Sequence, residues 1–294
     1  MSEHPEPVVV GTDGSAGAER AVRWAADDAA RTHRPLLIVH VVERRIYDGP
    51  ASAIPGIRET LTERGLRILR EAHDLALQEQ PGLTVEEELA HDTTTYAGLH
   101  AHADDAYETV VGHRGLGGFT GLLLGSAGLR LAGHQAGPVV IVRGDEDAPA
   151  GEVVVGLDLK EPAEPILDYA FAAAARLHVR LHAVHAWHPA PLSLETDIDL
   201  DAADAMFRDH LSSALAPWRS RHPDVKVIEE VVRGHPTDAL VGASAHADLV
   251  VVGHRTHKGP HLGSVSHGAI HHAHCPVAVV RPRDHSHEAS VGYG

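Results

Sequence analysis

Short runs of Val, Leu and Ile recur along the chain, and between them lie longer stretches whose apolar residues come at three- and four-residue spacing. In the first half the short runs fall near residues 7–12, 36–42, 83–89, 108–112 and 138–143 and predict strands. The stretches between them, near 15–33, 57–79, 95–105 and 126–136, predict helices. Ser15 is placed to cap the first helix and Thr94 to start the third. Continuous apolar strands separated by helices predict an α/β fold with a parallel sheet covered on both faces. The stretch 197–222, with Met206, Phe207, Leu211, Leu215 and Trp218, has helical spacing and reads as a helix covering the sheet, in preference to a partner-binding helix.

The pattern occurs twice. Val8-Val9-Val10-Gly11-Thr12-Asp13 is matched by Val153-Val154-Val155-Gly156-Leu157-Asp158, and Leu37-Ile38-Val39-His40-Val41-Val42 is echoed by Leu181-His182-Ala183-Val184-His185-Ala186. Val110-Val111-Gly112-His113-Arg114 returns as Val251-Val252-Gly253-His254-Arg255, and the run 137–143 returns at 275–281. Landmarks repeating in one order over such a distance mark a duplicated domain and not a solenoid. The polar, punctuated stretch Gly144 to Gly151 reads as the linker, dividing the chain into 1–146 and 147–294.

Open parallel sheets bind ligands beyond the carboxyl ends of their strands, where the strand order reverses. Asp13, Val41 and Gly112 all fall at such ends. From Gly112 the first half reads Gly-x-x-Gly, nine residues, then Gly125-Ser126, between a predicted strand and a predicted helix. Glycines let a phosphate approach the backbone closely, and a helix start offers unpaired N–H groups and partial positive charge.

Composition narrows the partners. The 294 residues suffice for two domains with separate cores, and a 4% aromatic share leaves aliphatic side chains to fill them. A formal charge of −16 offers no basic stripe, which excludes a general nucleic-acid binder but leaves a nucleotide site open. No apolar run approaches the roughly 20 residues of a membrane span, so no membrane partner is expected. The N-terminus lacks the basic and apolar segments of a secretory signal, and the single cysteine, Cys275, fits a reducing compartment, so a cytoplasmic location is expected. Among the 26 histidines, the run His271-His272-Ala273-His274-Cys275 invites a metal reading. Only residues three or four apart share a helix face, and two further ligands would be needed, so no metal site is expected.

With these residues in view, the chain resembles the universal stress protein family. The resemblance rests on Val-Val-Val-Gly-Thr-Asp-Gly-Ser at 8–15, the glycine motif at 112–126 and Gly-Pro-Val-Val-Ile-Val-Arg at 137–143. It covers nearly all of 6–283 and takes the tandem two-domain form common in actinobacteria. It implies two open five-stranded parallel sheets, Rossmann-like and of the HUP type, and in the family's ATP-binding branch a site at the switch point. Carried over, Gly11, Thr12 and Asp13 would lie near the nucleoside, and Val41 would offer its backbone to the adenine. Gly112, Arg114 and Gly115 would border the ribose and phosphates, and Gly125, Ser126 and Ala127 would meet the phosphates, with Ser126 expected as the helix N-cap. Mg²⁺ would accompany the triphosphate. Pairing through the last strand of each half, and a homodimer of chains, are also implied.

The second copy departs from the motif. Thr256 stands where the second glycine belongs, and six residues instead of nine precede Gly263-Ser264. Asp158, Gly253, Gly263 and Ser264 therefore mark a degenerate site, weakened or lost for ATP. The loop 113–124 contains no lysine, and no nucleophile elbow or paired catalytic carboxylate appears, so no enzyme is expected, slow ATP hydrolysis aside. The sequence thus predicts a cytoplasmic ATP-binding regulator of a stress or dormancy response, acting with an unidentified protein partner. The alternatives are a nucleotide-independent dimeric module of structural or chaperone-like kind, with vestigial pockets, and a slow ATPase.

Overall fold

The computed structural model describes residues 5–44, 56–113, 125–144, 151–160, 163–189, 199–254 and 262–281. The first half runs β1 (Val8–Gly11), α1 (Ala16–Thr32), β2 (Leu36–Glu43), α2 (Ile57–Glu79), β3 (Val85–Asp92), α3 (Thr95–His100), β4 (Glu108–Gly112), α4 (Ser126–His134) and β5 (Val139–Val142). The second runs β6 (Glu152–Gly156), α5 (Glu164–Leu177), β7 (Arg180–Trp187), α6 (Leu200–Arg221), β8 (Val227–Arg233), α7 (Pro236–Ala243), β9 (Leu249–Gly253), α8 (Ser264–His272) and β10 (Val277–Val280).

Ser15 caps α1 by accepting from Ala18 N, and Thr94 caps α3 by accepting from Ala97 N, as the sequence predicts. The third helix is shorter than the 95–105 expected. After Ala101 its bonds tighten to the three-residue type, His102 N to Leu99 O and Ala103 N to His100 O, which rarely propagates. Residues 197–198 of the predicted sixth helix lie outside the described residues. The rest is α6, which buries Leu211, Leu215 and Trp218.

All strands belong to one ten-stranded sheet, ordered β3-β2-β1-β4-β5-β10-β9-β6-β7-β8. Within each half every pairing is parallel, and only β5 and β10 pair antiparallel, with Ala278 opposite Val140. The two halves thus join by their last strands inside one chain. Val8 lies opposite Leu36 and Val153 opposite Leu181, so the second sequence echo is shifted by one residue, and His40 corresponds to His185.

Strand alternation sends Val8, Val10, Val110, Val153 and Val251 into one core, and Val9, Val111, Val154, Val250 and Val252 into the other. Each core is continuous across both halves. The outer strands β3 and β8 carry Glu86-Glu87-Glu88 and Glu229-Glu230, charges that discourage further pairing at the sheet's ends.

The joint between the halves has a polar centre. Arg176 of α5 pairs with Asp28 of α1 at 2.8 Å, both side chains almost fully buried, and Tyr169 Oη donates to Glu108 Oε2 at 2.6 Å. Burial, reinforced by the neighbouring Asp28 charge, raises the Glu108 carboxyl to about 8. Burial raises Asp28 as well, but Arg176 opposes it, so the proton resides on Glu108 and is donated toward Asp28. Reciprocal arginines close the joint. Arg143 Nη1, just beyond β5, donates to Ile270 O near the end of α8, and Arg281 Nη1, just beyond β10, donates to Gly133 O near the end of α4. Each fills an acceptor that a helix end leaves without an intrahelical partner.

Candidate functional site

The strand order places a switch point between β1 and β4 in the first half and between β6 and β9 in the second. Gly11 lies opposite Val39 on one side and Val111 on the other, so the carboxyl ends of β1, β2 and β4 come together. There the chain turns sharply: Asp13 Oδ1 accepts from Ser15 N at 3.0 Å and Thr12 Oγ1 from Gly14 N at 3.3 Å. Gly14 has φ +77°, a conformation glycine adopts without a Cβ penalty.

Val41 lies near the carboxyl end of β2. Thr12 N donates to Val39 O, so the Val39 peptide groups face β1. Peptide groups two residues apart face the same way, so those of Val41 face the same side, past the point where β1 has ended. Its side chain meanwhile packs beside Gly98 of α3, where a Cβ would lie 2.7 Å from a Val41 methyl. His40 Nδ1 lies 2.7 Å from Thr12 O, and burial holds this imidazole below the usual histidine range.

Gly112 ends β4 against the start of α1. A Cβ built on it would lie 2.5 Å from Gly17 O, so only glycine permits this approach. His113 O then accepts from Gly125 N at 2.9 Å, closing the ends of the motif loop. The structure corrects one expectation here. The N-cap of α4 is Gly125, in extended backbone, and no side chain caps the helix; Ser126 and Ala127 are its first two helical residues. The first intrahelical bond is Leu129 N to Gly125 O, so the amides of Ser126, Ala127 and Gly128 precede the ladder. Gly11, Thr12, Asp13, Val41, Gly112, Gly125, Ser126 and Ala127 therefore share one end of the sheet. Arg114 and Gly115 lie outside the described residues.

The second switch point repeats this skeleton. Asp158 Oδ1 accepts from Lys160 N at 3.2 Å, His185 Nδ1 lies 2.9 Å from Leu157 O, and Gly263 is the N-cap of α8, ahead of Ser264. The fill is different. A cavity of about 460 Å³ opens at this end, bordered by Gly156, Asp158, Gly253 and Gly263, with Trp187 and Phe207 in its wall. The motif residues 255–261, Thr256 among them, lie outside the described residues. The sequence reading assigned Phe207 only to a helix covering the sheet and gave Trp187 no role. Their signal was an aromatic pair in a chain with few aromatics, one of them at the end of the second strand of its half. Among the described residues no group of three His, Cys, Asp or Glu side chains could hold a metal ion, and no helix is long and apolar enough to cross a membrane.

Comparison with known proteins meets this geometry at one point. The model of the universal stress protein family matches residues 5–143 and again 150–281. The chain belongs to the universal stress protein family. A universal stress protein of Mycolicibacterium smegmatis is 34% identical over 286 residues, covering 94% of this chain and 97% of its own length. One from Mycobacterium tuberculosis is 35% identical over 287 residues, covering 93% and 96%. Among solved structures, a universal stress protein from Archaeoglobus fulgidus superposes with a TM-score of 0.70 at 18% identity, covering 94% of this chain and 98% of that one. The tandem universal stress protein architecture therefore extends over both halves.

Proposed function

We propose that this universal stress protein binds ATP in its first half and that occupancy regulates a stress or dormancy response in the cytoplasm through a protein partner. The observation that carries the reading is the glycine cradle at the β1–β4 switch point. Gly112 lies flush on Gly17, and the amides of Ser126 and Ala127 face no side-chain cap. Such a surface suits an anion, because backbone donors and the helix dipole act together. In this reading the outward peptide edge of Val41 takes the adenine, Gly11, Thr12 and Asp13 border the ribose, and Gly112, Gly125, Ser126 and Ala127 hold the phosphates. Arg114 and Gly115 complete the motif by sequence. ATP, when bound, would bring negative charge to these donors, and Mg²⁺ would be held largely through phosphate oxygens and water.

In this reading the protein acts as a binder and not an enzyme, since the loop 113–124 supplies no lysine. A homodimer of chains would need a surface other than β5 and β10, which pair with each other inside the chain. The test is to denature purified protein after incubation with Mg-ATP and count the nucleotide released. About one ATP per chain is expected, and markedly less from Ser126→Asp. If the wild-type protein carries no nucleotide, the reading fails and a nucleotide-independent assembly module takes its place.

A further inference from the structure

We propose that the cavity of the second half binds a small, uncharged aromatic molecule carrying a hydrogen-bond donor, and not a nucleoside triphosphate. The inference does not depend on ATP binding in the first half. It begins with the helix after the first strand of each half. Helix α1 starts three residues beyond Asp13, whereas α5 starts six residues beyond Asp158. Among the described residues, no backbone atom crowds Gly253 as Gly17 crowds Gly112. A Cβ on Gly253 would instead meet Ile166 Cδ1, at 2.4 Å. An apolar side chain therefore covers the glycine beside which a phosphate would have to rest.

The other exchanges run the same way. Leu157 and Leu159 stand where the first half has Thr12 and Gly14, and Trp187 stands where it has Val42. Phe207 faces His185 at 5.0 Å between ring centroids, much as Gly65 faces His40 in the first half. Trp187 and Phe207 lie 5.1 Å apart, and Trp187 is pinned by its Nε1 bond to Asp204 at 2.9 Å. These rings, with Leu157, Leu159, Ile166 and Leu240, make an aromatic and aliphatic chamber within the size range of small-molecule sites.

His185 supplies the polar requirement. It lines the cavity and is 7% exposed, and its Nδ1 lies 2.9 Å from Leu157 O, which can only accept. Nδ1 therefore carries the proton, and in the neutral ring Nε2 is an acceptor. Nε2 is buried with no hydrogen-bond partner among the described residues. Leaving a buried acceptor unsatisfied is costly, and a donor on a ligand recovers that cost. The peptide groups of Ala186 add a second polar edge. Leu157 N donates to Val184 O, so by alternation Ala186 faces the same side as Val184, beyond the end of β6.

Indole and benzothiophene, nearly the same shape with and without an N–H, are the probes, titrated calorimetrically into the full chain. One indole per chain is expected, not displaced by Mg-ATP, with benzothiophene about tenfold weaker. His185→Leu should erase that difference by weakening indole alone. Ala163→Phe, which fills the cavity from the start of α5, should abolish indole binding while leaving the urea midpoint in place. Absence of indole binding up to millimolar concentration overturns the proposal, as does displacement by Mg-ATP or equal affinity for the two probes. Should His185→Leu fail to fold, Ala163→Phe decides alone: indole binding that survives it places the probe elsewhere and refutes the assignment.

Discussion

The two switch points share a skeleton and differ in what fills it. Both have an aspartate that accepts from the amide two residues on, a histidine within hydrogen-bond distance of the carbonyl that follows the first strand, and a glycine N-cap on the fourth helix. The first half closes this end with backbone, Gly112 against Gly17, and the second opens it and lines it with Ile166, Trp187 and Phe207. Duplication of a fold therefore preserves the hydrogen bonds that hold strand ends in register, while the side chains over them are free to change ligand chemistry.

The sharpest way to test the contrast is to add one methyl group to each glycine. In Gly112→Ala the new Cβ lies 2.5 Å from Gly17 O, a backbone atom fixed in α1. We expect a loss of about 3 kcal/mol in urea unfolding, at the upper end for overpacking. In Gly253→Ala the Cβ meets the end of the Ile166 side chain, which has the neighbouring cavity to turn into, and a loss of about 1 kcal/mol is expected. Equal losses would mean that the two ends are packed alike.

Next in size is a pH effect at the joint, where the halves contribute unequally. Asp28 and Glu108 come from the first half, Tyr169 and Arg176 from the second, and the strand position matching Glu108 is the apolar Leu249. Glu108 keeps its proton in the folded chain up to about 8 but loses it near the ordinary glutamate value of 4.5 when unfolded. Between those values the folded state binds the extra proton, so rising pH favours unfolding. The stabilisation is complete below the unfolded value and is gone once the pH has passed about 8, at a slope of at most about 1.4 kcal/mol per pH unit. Thermal melts from pH 6 to 8.5 should show the wild type losing stability relative to Glu108→Gln. Parallel curves would mean that Glu108 is ionised in the folded state.

An acid at each uncapped helix start distinguishes the halves by ligand. Ser126→Asp places a carboxylate among the amides proposed for phosphate, and ATP affinity should fall at least tenfold, about 1.4 kcal/mol. Ser264→Asp should leave ATP binding unchanged. Neither should destabilise the fold, since an acidic side chain at a helix start is favourable by about 0.3–1 kcal/mol. Loss of ATP binding in Ser264→Asp would place the nucleotide in the second half.

Much of this comparison was legible in the sequence. The strand runs were continuous and the caps at Ser15 and Thr94 local, so elements and caps could be read without tertiary information. The pairing of the halves through β5 and β10 came from the family resemblance and not from the residues, because edge pairing depends on partners far apart in sequence. The glycine motif located both crevices, but it is a statement about backbone. It could not register that Leu159, Trp187 and Phe207, from a turn, a strand and a helix, would converge on the second one. The N-cap was misplaced by one residue because serine is a good cap and glycine also serves, and only the backbone angles choose between them. The delayed start of α5 had a cue in Pro165, since proline favours the first helical turn, but its effect on Gly253 needed the packing.

The smallest expected difference lies in the two arginines that tie each half to the other. Arg143 and Arg281 follow equivalent strands, and each donates to an end-of-helix carbonyl in the opposite half, at 2.5 Å for Ile270 O and 3.3 Å for Gly133 O. A charged donor at a helix carboxyl end gains from both the hydrogen bond and the dipole. The two bonds are of one kind, so Arg143→Ala and Arg281→Ala should each cost about 1 kcal/mol in urea unfolding. Neither arginine touches the cavity or the glycine cradle, so ATP and indole affinities should stay at wild-type values. Clearly unequal costs would mean that the joint is asymmetric in these bonds as well as in its buried charges. A change in either affinity would mean that the joint transmits to the sites, and the two crevices could then no longer be treated as independent.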